Sequence, residues 1–404
     1  MFSRKFKNFI ISVLLCLSIF PLFSETFFTG IAGGKLKMTP EKKDETTKPA
    51  MTLQAFFSGQ INFSQNAWSH MEFSIDTKNI VSETLFESTD ALFQVDELSV
   101  IFRQNIETLS NYFSLFMGTY DPIGSDIFLQ RQFGISPIAS KITESWLGMA
   151  GSLLYPHFGV GVSDVLRFSS PYAAGLYIYV NHEDADYFVF NTDARFGGTK
   201  RFFTFDIATG IGAPLATKKY EDAVLAVEKI NWHAGTTMLI GNNYTPALFA
   251  QAGVYNAIFR STEENEFNWN ELYFLIEPRF NYKGTKIHLT LFCLPQKTVD
   301  SLLFVNDKMG FNMNIFTDMM NTRNTGLDFG LNTAFTIKEL ALGDVKRIPE
   351  ALLSGQFNLH ITPYISSNFM NGELHSMLSF NFMEFFQTDW GKSLQLNVSY
   401  KTYF

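Results

Sequence analysis

The chain has 404 residues, 46% of them hydrophobic and 16% aromatic, with 44 Phe and a formal net charge of −8. Beyond its N-terminal segment it holds no run of about 18 apolar residues, which excludes helical membrane spans, and its acidic balance argues against nucleic acid as a partner. A Gly-x-Ser-x-Gly elbow, a phosphate-binding glycine loop and a histidine pair at metalloprotease spacing are all missing, so the chain reads as a non-enzyme without cofactor or metal.

Arg4, Lys5 and Lys7 precede the apolar stretch 9–20, and Pro21, Leu22, Phe23 and Ser24 follow. This is the pattern of a secretory signal peptide over residues 1–24, cleaved before Glu25. Cys16 does not suit lipidation, because the residue before it, Leu15, is not small. Cleavage leaves 28 basic against 39 acidic residues and Cys293 as the lone cysteine, so an internal disulfide is ruled out. Residues 25–50 contain Gly33-Gly34, Pro40 and a charged run from Glu41 to Glu45, and read as a flexible leader or small plug.

From Met51 onward apolar and polar residues alternate with period two, in blocks of about 9 to 12 residues separated by Asn, Asp, Gly, Pro and Lys clusters. Leu53, Ala55, Phe57, Gly59 and Ile61 oppose Gln54, Ser58, Gln60 and Asn62. Met71, Phe73 and Ile75 alternate with His70, Glu72, Ser74 and Asp76. Phe188, Phe190 and Phe196 oppose Asn191, Asp193 and Arg195, and Leu327, Phe329, Leu331 and Phe335 oppose Asp328, Asn332 and Thr336. Soluble strands average roughly 5 to 6 residues, whereas a tilted strand crossing a bilayer needs roughly 9 to 11. The alternation therefore predicts an all-β protein whose residues 51–404 form a transmembrane antiparallel up-and-down β-barrel of about 16 strands, within a range of about 14 to 18. Long connections are expected at 118–146, 261–269 and 339–354, the last open to a short amphipathic helix. His182, Glu183, Asp184 and Asp186 read as a solvated hairpin turn rather than a calcium site.

Arg103, Arg167, Arg195, Asp206, Glu277, Arg279, Asp328 and Lys338 fall on the inward parity of these strands. A solid interior would demand a buried partner for each, whereas a water-filled lumen keeps them hydrated and lets them set the field felt by solutes. They are the expected pore-lining residues.

The last strand places Leu394, Leu396, Val398, Tyr400 and Phe404 on one face. A final strand ending in Phe resembles the assembly signal of Gram-negative outer-membrane barrels, with Tyr400 and Phe404 as its carriers; Thr402 departs from that family's hydrophobic preference two places before the end. With the signal peptide and the alternation, the mature chain is similar to porin-like barrels, and its Phe-, Asn- and Lys-rich composition is loosely similar to spirochaete ones. The resemblance implies export through the periplasm, contact with the barrel-assembly machinery, residence in outer-membrane lipid and a homo-oligomer as one option. It also implies a constriction loop folded into the barrel, for which the segment from Asp121 to Gly134 stands in the right position. Asp121, Asp126, Arg131 and Lys141 would then line the eyelet. The expected function is a channel for passive diffusion of small hydrophilic solutes. Two alternatives are a transporter of hydrophobic compounds plugged by residues 25–49, and a surface barrel whose loops bind host molecules.

Overall fold

The computed structural model describes the chain except residues 1–26, 44–45, 82–91, 145–157, 185–186, 216–228, 243–244, 261–267, 300–301, 303, 318–325, 339 and 386–392. The expected signal peptide lies outside the described residues. So do most of the connection at 261–269 and Asp186 of the hairpin turn.

Eighteen antiparallel strands form one sheet that closes on itself. The first nine are β1 (Phe27–Lys43), β2 (Thr46–Ser64), β3 (Ala67–Asp76), β4 (Leu92–Ile106), β5 (Leu109–Thr119), β6 (Phe158–Phe168), β7 (Tyr172–Asp184), β8 (Tyr187–Lys200) and β9 (Phe203–Leu215). The second nine are β10 (Lys229–Ile240), β11 (Ala247–Arg260), β12 (Leu272–Tyr282), β13 (Thr285–Cys293), β14 (Met309–Thr317), β15 (Leu327–Ile337), β16 (Phe357–Phe369), β17 (Gly372–Asn381) and β18 (Leu394–Tyr403). Each strand pairs with its sequence neighbours, the up-and-down order expected. The count sits at the top of the anticipated range.

Closure comes from a segment that the sequence reading set aside. Residues 27–43 are neither leader nor plug: they are β1, which pairs with β2 from Phe27↔Asn62 onward and with β18 from Ile31↔Tyr403 to Met38↔Leu396. The breakers in this stretch are tolerated because pairing on both sides supplies the order that propensity withholds. Gly33 has a specific use. A Cβ there would stand 2.5 Å from the Tyr400 carbonyl oxygen, so only glycine lets β18 approach this closely.

Alternation sets the two faces of the wall. Phe93, Leu115, Val160, Ile178, Ile211, Leu291 and Phe329 point outward and are exposed, while Ser99, Ser114, Ser163, Asn191, Thr237, Thr290 and Asn332 point inward and are buried. An apolar exterior on a closed sheet is the arrangement that lipid requires, since no backbone edge is left unpaired. Among the described residues no helix is long and apolar enough to cross a membrane.

The barrel has a short-turn end and a long-loop end. Lys283-Gly284 and Met370-Asn371, all four at positive φ, make two-residue turns at the first end, matching the twist of the strands they join. β1 begins and β18 ends there, where the amide of Phe404 donates to the carbonyl of Gly30 at 3.0 Å. From the opposite end two connections fold into the barrel. One is the β5–β6 connection, containing helix α1 (Ile127–Phe133); the other is the β13–β14 connection, containing the single turn α2 (Gln296–Val299). The β15–β16 connection carries a 3-10 turn (Leu342–Arg347) and a short helix α3 (Ile348–Leu353) with Pro349 in its first turn.

These two infolded segments make the lumen a core. Phe128 and Leu129 of α1 have no exposure at all and pack with Ile138, Ile142, Phe249, Leu275, Phe292, Phe304 and Val305 in one apolar cluster. Burial of such a side chain is worth about 1.5–3 kcal/mol. The helix ends at Gly134, whose φ of 62° supplies the left-handed cap and whose amide bonds back to the Gln130 carbonyl.

Candidate functional site

The β5–β6 connection is held inside the barrel by three sets of contacts with the wall. At its start, Arg131 of α1 makes an ion pair with Glu97 of β4 and reaches Asp121 at 2.8 Å. The other Asp121 oxygen accepts from the Tyr177 hydroxyl of β7 at 2.9 Å. In the middle, Arg195 of β8 is paired with Asp206 of β9 and donates to the backbone carbonyls of Asp121 and Pro122, while Gln251 of β11 donates to the carbonyl of Gly124 at 2.6 Å. On the return, Arg279 of β12 donates to the carbonyls of Ile138 and Ala139 at 2.9 and 3.0 Å, and the Ser140 hydroxyl donates to Glu277.

Each arginine also lies over a ring: Arg131 over Tyr120 at 4.4 Å, Arg195 over Phe128 at 4.7 Å and Arg279 over Phe249 at 4.6 Å. Guanidinium is the cation suited to this, because it stacks and forks at once and is weakly hydrated. Burial works to lower the pKa of Arg131, but Glu97 and Asp121 outweigh it and hold the group well above its ordinary value. Asp126 is fully buried and ties the segment to itself, its Oδ2 accepting from the amides of Ile138 and Ala139 at 2.7 and 3.2 Å. Burial raises the pKa of this carboxyl, against the pull of those amides.

The eight residues assigned inward by parity therefore have different surroundings. Arg195, Asp206, Glu277 and Arg279 are buried in the contacts that hold the connection. Arg103 stands near the short-turn end, 3.3 Å from the side-chain oxygen of Asn66. Arg167, one residue from the end of β6, lies over Phe133 at 5.8 Å. Asp328 accepts from Thr317 at 3.1 Å, and Lys338 follows the last residue of β15. Of the four expected eyelet residues, Asp121 and Asp126 are buried pins and Arg131 is locked between two carboxylates. Lys141 borders the larger of two cavities, and Asp121 lines the smaller one with Tyr177 and Arg195. Residues 27–43, read as leader or small plug, lie in the wall, and the segment folded inward is the β5–β6 connection.

Sequence reading passed over Glu97, Tyr177, Gln251 and the buried pair of His233 and Asp193, whose atoms lie 2.9 Å apart. Glu97 shares the inward parity of Arg103 and was open to the same argument. Gln251 and Tyr177 carry no charge to single them out. Among the described residues no group of three or more His, Cys, Asp or Glu could hold a metal ion.

A cavity of about 540 Å³ lies at the short-turn end, between the returning part of the β5–β6 connection and strands β12 to β14. Lys141, Glu144, Arg279, Lys286 and His288 border it, with Pro137 and Phe316 as apolar lining. Lys141 meets Glu144 at 2.5 Å and lies over the Phe316 ring at 5.1 Å.

An 18-stranded closed barrel with infolded loops has the porin-like fold of outer-membrane barrels. Among the solved structures that share it, two align over nearly the whole chain. Pseudomonas aeruginosa OccK11 (OpdR) aligns at a TM-score of 0.50 and 8% identity, over 93% of this chain and 96% of that one. Acinetobacter baumannii OccAB3 aligns at 0.50 and 9%, over 94% and 100%. No family model and no curated protein matches the sequence, so the likeness is one of fold alone.

Proposed function

We propose that this chain is a non-catalytic channel of a Gram-negative outer membrane, passing small hydrophilic solutes by diffusion. The observation that carries this reading is the polar cavity of about 540 Å³ inside a closed wall whose outer face is apolar. A lipid-embedded barrel enclosing a polar cavity lowers the cost of moving polar solutes across hydrocarbon. Purified protein in planar lipid bilayers should give discrete, steady conductance steps. Heat-modifiable, β-rich protein that inserts without conducting would remove the channel reading.

One observation favours the runner-up, an occluded transporter: the apolar cluster around Phe128 and Leu129 sits inside the barrel. Deleting residues 127–133 tests it. Conductance that appears only after deletion would favour occlusion. A modest rise over a substantial starting conductance would favour an open path beside the infolded segment.

Outer-membrane lipid and the barrel-assembly machinery are the proposed partners. The Phe404 ring packs outside the wall, 5.2 Å from Phe28 and 5.9 Å from Phe57, which suits a terminal residue read before closure and packed after it.

A further inference from the structure

Cys293, Met309 and Ile337 have the parity of the outer wall. Strand register sets them in one row, Cys293 opposite Met309 and Met309 opposite Ile337, two residues along from Leu291, Phe311 and Phe335. Leu291 and Phe311 are exposed, yet the row at the long-loop end beside them is buried. The β15–β16 connection covers it: Leu340 and Ala351 are buried with the three, and Leu342 and Ile348 pack against them together with Phe274 of β12. This connection therefore folds outward over β12 to β15, the reverse of the two that enter the lumen.

Its other side is exposed. Leu353 is 90% exposed, the highest value for a large apolar side chain among the described residues, and Val345 and Leu352 of the same connection are exposed too. Trp269, 61% exposed, adjoins them from the β11–β12 connection, since a Cβ on Gly343 would stand 3.5 Å from that of Trp269. Such a group at one place on a rim exceeds the single apolar residues that any surface carries. Charge is balanced over the stretch, with Asp344 and Glu350 against Lys346 and Arg347.

Wall height accounts for the position. β13 and β14 have nine residues each, the shortest of the strands. At about 3.3 Å per residue and a tilt of about 35–45°, such a strand rises roughly 19–24 Å, less than the apolar band of about 25 Å on barrels of this kind. The covered row thus stands near headgroup level.

We infer that the β15–β16 connection is seated in the membrane, lying along the outer wall at its shortest strands, with Val345, Leu352, Leu353 and Trp269 entering the boundary between lipid headgroups and acyl chains. The inference rests on the membrane residence proposed above and is independent of conduction. A wall shorter than the hydrocarbon is a mismatch, and an apolar segment continuous with the lipid-facing wall makes up the missing height. Tryptophan suits this level, its ring being apolar and its N–H polar. Lys346 and Arg347 bury their stems there while their charged heads reach water.

Because the charges balance, zwitterionic lipid is the probe. Membrane-extracted protein is reconstituted into phosphatidylcholine vesicles with an environment-sensitive dye at Leu353→Cys in a Cys293→Ala background, and with Leu291→Cys as the standard for a wall position. Lipid brominated on its upper acyl carbons should quench the Leu353→Cys dye severalfold more than aqueous iodide does, and lipid brominated near the chain ends should quench it less than the Leu291→Cys dye. The tryptophan emission lost in Trp269→Phe, read with the same lipids, gives a second measurement that leaves Cys293 in place. Quenching by iodide and none by brominated lipid puts the segment in water and overturns the inference. A dye shielded from both marks a contact between protein copies, with cross-linked oligomers as its sign, and overturns it equally. Protein that enters no vesicle removes membrane residence and the inference together; inserted protein with a wet dye removes the inference alone.

Discussion

On β4 to β12 the buried inward side chains include Glu97, Asp193, Arg195, Asp206, Glu277 and Arg279, whereas on β14 to β18 the buried polar ones are amides and hydroxyls such as Asn312, Asn332, Thr336, Asn358 and Thr362, with His360. Both halves hold an infolded segment. The charged half grips the β5–β6 connection, which brings Asp121 and Arg131 and many backbone carbonyls of its own. Among the described residues the amide half meets the β13–β14 connection through the Asp307 carboxylate, which accepts from Thr336 and from Asn358 at 2.8 Å, and through the ring of Phe304, 5.6 Å from that of Tyr364. Asn312 and Asn332 exchange hydrogen bonds at 2.9 and 3.0 Å, whereas both side-chain polar atoms of the buried Asn397 make none among the described residues. A wall can therefore be closed with ions or with dipoles, and the difference lies in what happens when one partner is lost. An orphaned buried ion keeps its full desolvation penalty, while an orphaned amide has less to lose.

The largest test of that contrast is Arg195→Leu, which leaves Asp206 buried beside Asp121 and releases two backbone carbonyls. Stability measured by urea unfolding in lipid vesicles should fall by about 3–5 kcal/mol. The double variant Arg195→Leu with Asp206→Leu should recover much of that loss, and a double variant as unstable as the single one would show that the pair does more than cancel its own charges.

On the amide side, Asn312→Leu strands the side chain of Asn332 and should cost about 1–3 kcal/mol by the same assay. Replacing both by Leu should be nearly neutral. A cost as great as that of Arg195→Leu would erase the distinction between the halves.

The smallest expected effect is a pH dependence at Asp126. Its pKa is raised by burial, so the folded protein binds this proton more tightly than the unfolded chain does. The resulting stabilisation is complete below the unfolded value and is lost as pH climbs through the raised one. Melting temperatures followed across that window should decline in the wild type and less steeply in Asp126→Asn. Parallel profiles would mean that the carboxyl does not titrate there.

Inward and outward faces were legible along the chain because a strand's side chains alternate with period two whatever lies on either side. That is why Arg195, Asp206, Glu277 and Arg279 could be placed inside without knowing their partners. The same reasoning yielded a barrel and long strands, and it extended to the terminal face of β18 with Tyr400 and Phe404. It failed at residues 27–43, where Gly30, Gly33, Gly34 and Pro40 weaken the local signal and the ordering comes from β2 and β18, the latter more than 350 residues away in sequence. Partner choice was equally out of reach. Arg195 lies opposite Ala208, and its carboxylate, Asp206, is the diagonal neighbour across β9. Whether the inward charges met water or one another depended on where the β5–β6 connection went. Nothing local to that segment decides its path, because Arg131 finds Glu97 and Ser140 finds Glu277 only once the barrel has closed around both.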